Sequence, residues 1–400
     1  MNKSLIKIVW QRHKWILIAG LVVIIGSYMQ SLTTQYTSWK SQHDYYYSKE
    51  YKEMFEEEVK NNLAEGYDGA IYYVGDEMEE RYTQDFDVYQ ANDLETMRIF
   101  EDDHNVYGIS YYSYFFYSLL SLVTIFFGLA VFLFDNNGNF NQTLFSSRFT
   151  RKQIFWTKLS LFSLVFFIAH IIGTFIYLTG MYSLIPNDMM GASITELLPS
   201  VIATILVGGC YFFVSVLGGV IMGQWLFAVP TVMVFLLSTE YFASTIKEWL
   251  IVFSGQYDAY YNGYDYDELS QKYHLSSWVT SYGKGDVPMS QWLMMGAIMI
   301  VCVAASYWLF KRLSTDNVHQ YIAFDFLKKP VLITAMVYIF FSVFSIPFFA
   351  TVVYEKLGAV MAMMGIMLVT MAMFYIVFYL LIYRQFPFSK NEKIFELKVK

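Results

Sequence analysis

Long apolar runs alternate with short polar or charged stretches along the whole chain. A helix needs about 20 apolar residues to cross a hydrocarbon core, and eight runs approach that length. Their cores are Trp15–Leu32, Ile109–Phe134, Leu159–Leu184, Val201–Met222, Leu226–Phe242, Trp292–Phe310, Val331–Val353 and Ala359–Tyr383. Pro230 interrupts the fifth, and the turn Gly223-Gln224-Trp225 ahead of it is very short. The pattern predicts an all-α polytopic membrane protein with about eight transmembrane helices, because helices satisfy their backbone groups internally in lipid.

Charge gives this pattern a direction. If the N-terminus is cytoplasmic, the inside segments hold 17 of the 27 Lys and Arg but only five of the 34 acids. Basic residues in short loops favour the cytoplasmic side, so both termini are expected inside a plasma-membrane protein. The chain then divides into a cytoplasmic segment 1–14, TM1 at 15–32, an acidic Tyr-rich extracellular domain at 33–108 and TM2 at 109–134. A cytoplasmic loop at 135–158, TM3–TM5 at 159–242, an extracellular loop at 243–291 and TM6 at 292–310 follow. A connector at 311–330, TM7–TM8 at 331–383 and a cytoplasmic tail at 384–400 complete it. Composition agrees with this class: 56% of residues are apolar, 20% aromatic and 15% charged,.

Residues 1–14 set Leu5, Ile8, Val9 and Trp10 against Lys3, Lys7, Arg12 and Lys14. That suits a helix lying in the headgroup plane, or simply a basic flank that fixes topology. The first apolar stretch lacks a small-residue cleavage motif and reads as a retained helix. Residues 33–108 carry 19 acids and six bases; YYYSKEYKEMFEEEVKNNL has helical spacing, and the aromatic content argues for order against the acid excess, so a small, mainly helical domain is expected,. Residues 243–291 open with a short interfacial helix and continue in Gly-, Asn-, Asp- and Tyr-rich loops,. Cys210 and Cys302 both fall in predicted spans, which leaves no disulfide framework outside the membrane,. There is no polybasic tail and no expectation of nucleic-acid binding.

The loop 135–158 is the most informative stretch. Asp135-Asn136-Asn137-Gly138 is a turn signal,. Asn141-Gln142-Thr143 starts a short helix carrying Leu144 and Phe145, Ser146–Thr150 breaks it, and Arg151-Lys152-Gln153-Ile154-Phe155 begins the third span. A short helix across the cytoplasmic end of a bundle, with exposed aromatics and Arg, makes a docking knob. Plain positive-inside anchoring is the other reading of Arg148, Arg151 and Lys152.

These residues resemble the coupling segment of ABC-2-type transporter permeases, the transmembrane subunits of Gram-positive-type ABC exporters. Ser147, Arg148, Thr150, Arg151, Lys152, Gln153, Ile154 and Lys158 stand at the matching positions. The stretch YWLFKRLSTDNVHQYIAFDF resembles the family's cytoplasmic connector, with Asp316 and Gln320 where Glu and Gly are more usual. The resemblance implies a permease without its own motor, and the chain carries no G-x-x-x-x-G-K-[ST] phosphate loop,. It implies ABC ATPase subunits docked on Leu144, Phe145, Arg148, Phe149, Arg151 and Lys152, with ATP and Mg on that partner, and a second permease chain, identical or related. The expected function is ATP-driven export or extraction of an amphipathic peptide, antibiotic or lipid. A cationic antimicrobial peptide would suit the acidic exterior; an ordinary solubilising domain accounts for the same charge. The contrasting expectation is a membrane sensor or assembly protein whose acidic outer domain binds a ligand.

Other residues offer less. His170 and Glu240 are two further positions open to a substrate; an imidazole in a span more often serves as a helix–helix hydrogen bond, and Glu240, near the outer end of the fifth span, equally suits the headgroup layer. Asp258, Asp265, Asp267 and Glu268 lack EF-hand spacing,, and no metal site, cofactor site or catalytic group is expected on this chain. Gly219 and Gly223 fit the G-x-x-x-G packing pattern,, and the methionines of the eighth span surround the helix as packing residues.

Overall fold

The computed structural model describes residues 2–74, 79–95, 97–100, 114–138, 140–238, 242, 245, 289–314, 320–354 and 357–387. Helices dominate: α1 (Lys3–Tyr46), α2 (Lys49–Glu65), α3 (Phe86–Glu95), α4 (Tyr114–Ala130), α5 (Leu133–Asn137) and α6 (Phe140–Phe145) come first. Then follow α7 (Arg151–Leu184), α8 (Ile194–Ile221), α9 (Trp225–Leu237), α10 (Met289–Arg312), α11 (Asp325–Tyr354) and α12 (Leu357–Tyr383). A two-stranded antiparallel hairpin, β1 (Ala70–Val74) and β2 (Glu79–Thr83), lies between α2 and α3.

Among the described residues, five helices, α1, α7, α8, α10 and α12, are long and apolar enough to cross a membrane. Large apolar side chains such as Trp15, Val22, Leu164, Phe175, Ile300 and Leu368 face outward on them, an arrangement suited to a hydrocarbon surround. The chain is thus read as a multi-pass membrane protein. The other three expected spans coincide with α4, α9 and α11. Helix α9 runs through Pro230, and α8 through Pro199.

The first helix differs from expectation. Residues 1–14 do not form a separate segment, because one helix continues from Lys3 to Tyr46. Its buried positions, among them Leu5, Val9, His13, Leu17, Ile24, Tyr28, Gln35 and Trp39, recur at spacings of three and four in a single stripe,. That stripe packs on α7. Capping boxes start α7 and α8: Thr150 with Gln153, and Ser193 with Glu196,.

Helices α4 and α8 meet through glycine. A Cβ on Gly128 would lie 2.5 Å from the Phe212 carbonyl oxygen, and one on Gly219 would lie 3.0 Å from that of Leu129. Gly223, the other half of the G-x-x-x-G pattern, stands in the turn after α8, where its N–H donates to the Tyr321 carbonyl. Backbone bridges tie the ends of the bundle: Ile99 to the segment after α7, and Met222 to Ile322.

The small domain between α1 and α4 has its own core of Tyr51, Phe55, Ala70 and Tyr89. The expected helices are present, and the hairpin is an addition. The Tyr51 hydroxyl donates to Asp93 at 2.5 Å and that of Tyr89 to Glu58 at 3.1 Å. Burial, then these carboxylate neighbours, push both phenols above their ordinary range,. Gln90 Nε2 donates to the Tyr46 carbonyl at 2.6 Å and joins α3 to the end of α1.

Candidate functional site

Three helix ends converge where the loop 135–158 begins and ends. Asp135 lies on α5, Lys158 two turns into α7, and His13 on the buried stripe of α1. Lys158 sits at an apolar position: Ile154, Lys158, Phe162 and Phe166 follow one another at i+4, and all four are buried,.

The ammonium of Lys158 donates to Asp135 Oδ2 at 2.5 Å and to Asn141 Oδ1 at 2.6 Å. His13 Nε2 lies 2.8 Å from the same carboxylate oxygen and so acts as a donor. Arg12, half exposed, places its Nε 3.7 Å from Asp135 Oδ1. Asn141 Nδ2 donates to Asn136 Oδ1 at 2.5 Å, and Asn136 Nδ2 reaches the Gly219 carbonyl on α8 at 3.4 Å. The side chains of Asp135 and Lys158 are wholly inaccessible to solvent. Phe132 and Phe140 flank the ammonium at 5.7 and 5.6 Å, and Phe162 meets the His13 ring edge-on.

A fully enclosed carboxylate and ammonium hold each other in the charged state only with close geometry and further hydrogen bonds, and Asn141 and His13 provide them. The node is closed to solvent at its centre. Its capability is mechanical: it ties α5 and α6 to α1, α7 and α8, so that displacing the loop requires dragging those helices or breaking a buried ion pair.

The six expected docking residues divide into two sets. Leu144 and Phe149 are buried in the core, and Phe145 is half-buried with its ring against Phe310. Arg151 turns inward: its guanidinium lies 4.7 Å over Phe145 and donates to the carbonyls of Lys311 and Leu313 at 2.7 and 2.9 Å. It therefore caps the end of α10, where orphan carbonyls welcome a cation. Arg148 and Lys152 are exposed, with Gln142, Thr143, Ser146, Thr150 and Gln153 around them. The outward face of the loop is polar and basic rather than aromatic.

His170 is enclosed between helices, its Nδ1 2.9 Å from the Tyr28 hydroxyl of α1. A further rung joins the same two helices, where the Tyr177 hydroxyl donates to Gln35. Glu240, Asp316, Asp258, Asp265, Asp267 and Glu268 lie outside the described residues.

Reading the sequence alone left out the ion-paired node. The sequence marks Asp135 as part of a turn and Lys158 as an inside base that completes the coupling-segment resemblance, and carries no sign that the two pair or that His13 joins them. The available signal was Lys158 on the apolar face of a helix whose start the Thr150–Gln153 capping box marks. No protein-family model, curated protein or solved structure matches this chain.

Proposed function

We propose that the chain is the permease subunit of an ATP-binding-cassette transporter, with about eight spans and both termini in the cytoplasm. In this reading a separate ATPase docks on the loop 135–158, and the transporter exports or extracts an amphipathic substrate. The observation that carries the reading is the construction of that loop. It presents Arg148 and Lys152 on its outward face, while its inner side is joined by the Asp135–Lys158 pair to the ends of α1 and α7. A partner that moves such a loop moves the helices with it. The ATPase, with its ATP and Mg, and a second permease chain are the partners this mechanism requires.

The test is co-purification from native membranes. Wild-type protein is expected to bring down an ATPase chain with a phosphate loop, identified by mass spectrometry. Arg148→Glu with Lys152→Glu is expected to lose it with an unchanged unfolding midpoint, because both side chains are exposed. Equal recovery with the variant, or none with wild type, rejects the docking role.

The small domain favours a second reading, in which the chain is a sensor or assembly protein. It has a core separate from the helical bundle, and it joins α1 directly. Full transport activity after its removal would reject a sensing role in transport.

A further inference from the structure

The hairpin of the small domain turns one face to the domain core and the other away from it. Residues directly opposite in an antiparallel ladder share a face. The register sets Ala70 against Thr83, Ile71 against Tyr82, Tyr72 against Arg81 and Tyr73 against Glu80. Ala70 belongs to the core and Tyr72 packs on it, so Ile71, Tyr73, Glu80 and Tyr82 form the opposite face. Tyr73 and Glu80 are exposed there, and exposed Tyr67 stacks on Tyr82 with centroids 5.5 Å apart and planes 11° apart. Desolvation, then Glu80, the phenols of Tyr67 and Tyr73, and Asp68 push the Tyr82 phenol above its ordinary range,. All four groups thus lie within electrostatic reach of Tyr82.

The two edges of the hairpin differ. The Ile71 N–H donates to Glu58 Oε1 at 3.1 Å, so it points away from β2, and Ile71–Tyr82 is a non-hydrogen-bonded pair. By the same alternation Tyr73–Glu80 is another. The backbone N–H and C=O groups of Glu80 and Tyr82 then face outward along the far edge of β2. Glu58 of α2 covers the edge of β1, and the described residues place no such cover on β2. Arg81 is engaged by Glu79 at 3.2 Å, while Asp68, Glu80 and Asp85 are exposed.

We propose that the β2 edge and the tyrosine face beside it are a docking surface for a basic peptide in extended conformation, added as a third strand. Strand addition supplies main-chain hydrogen bonds at Glu80 and Tyr82. Lys or Arg side chains at alternate positions of the peptide then fall on the tyrosine face. There Tyr67, Tyr73 and Tyr82 offer aromatic surface, and Asp68 and Glu80 offer carboxylates. Charge complementarity selects the sign of the partner, because residues 33–108 carry 19 acids against six bases,. The surface is independent of whether the loop 135–158 docks a motor.

Fluorescence anisotropy tests this on the full chain in phosphatidylcholine nanodiscs, whose lipid has no net charge to hold a peptide. The probe is a short fluorescein-labelled peptide of alternating lysine and threonine, which wild type is expected to bind saturably. The same peptide N-methylated throughout keeps its charge but donates no main-chain hydrogen bond, and is expected to bind about tenfold more weakly. Asp68→Lys with Glu80→Lys is expected to weaken the unmodified peptide by a similar factor. Glu56→Lys with Glu57→Lys, the same change of charge on an exposed stretch of α2, is expected to leave affinity within about twofold. Absence of saturable binding to wild type overturns the proposal. Equal binding of the methylated peptide also overturns it, as attraction by charge alone, and so does equal weakening by the two lysine pairs, as a diffuse field. The comparison of the two peptides uses unaltered protein, so it decides the matter even where a variant fails to fold.

Discussion

Lys158 carries its ammonium into a space walled by Phe132 and Phe140, and that placement sets the cost of substitution. Removing one member of a buried ion pair strands the other charge and costs about 3–5 kcal/mol, whereas replacing both with apolar groups is often near neutral. Lys158→Met and Asp135→Leu are each expected to lower the unfolding midpoint sharply, and the pair together to recover part of the loss. The recovery is only partial because His13 and Asn141 keep their polar atoms. Additive losses in thermal or denaturant unfolding would contradict a direct pairing. At this scale the sequence was partly readable. The i+4 series through Ile154, Lys158 and Phe162 betrays an enclosed lysine, but its partners Asp135 and Asn141 are 23 and 17 positions away, and His13, 122 positions from Asp135, joins that carboxylate only because α1 packs against α7. Arg151 illustrates the same limit. Its position at the start of a span is local information; the carbonyls of Lys311 and Leu313 that it caps are not.

At the level of elements, the contact of α4 with α8 depends on the missing side chain of Gly128. Overpacking a fitted interface typically costs about 1–3 kcal/mol, and here the obstruction is a backbone carbonyl that cannot turn aside. Gly128→Val is expected to lower the unfolding midpoint, while Gly296→Val, with nothing within 4 Å of its Cβ position, leaves it nearly unchanged. Equal effects would argue against the close approach.

The small domain has its own pH dependence. Tyr51 and Tyr89 ionise near 10.0 when unfolded and only above that when folded. The folded domain therefore holds these protons more tightly than the unfolded chain does. The resulting stability is complete below about pH 10 and is lost as pH rises through the folded values. Near-UV circular dichroism of the full chain should show tyrosine asymmetry collapsing above that pH, and less steeply in Tyr51→Phe. Tyrosines that all titrate near 10 without loss of signal would contradict the burial. Both elements show what periodicity can convey. The helical run of α2 was legible from its spacing, but the β1–β2 pairing was not, since neither short strand alternates cleanly from buried to exposed.

For the molecule as a whole, hydropathy located apolar helices, five of them long enough among the described residues to cross a membrane, because a long apolar run is a local property. It did not reveal that the first helix fails to stop at the membrane boundary. Charged residues at 3–14 suggested a change of direction, but Leu5, Val9 and His13 continue the buried stripe of the span without a break in phase. The tertiary partner α7 decided the outcome. At 1.5 Å per residue, the 44 residues of α1 extend about 66 Å, roughly twice the thickness of a hydrocarbon core. Much of this rod must stand clear of the lipid tails. His13 lies near one end, and Tyr46, held by Gln90 of the small domain, is at the other. The arm from His13 to Tyr46 is about 50 Å, so a tilt of about 5° about the ion-paired node would swing its far end through about 4 Å,. One unbroken helix thus links the ion-paired node to the small domain, and a small change of angle at the first would reach the second as several ångströms of travel.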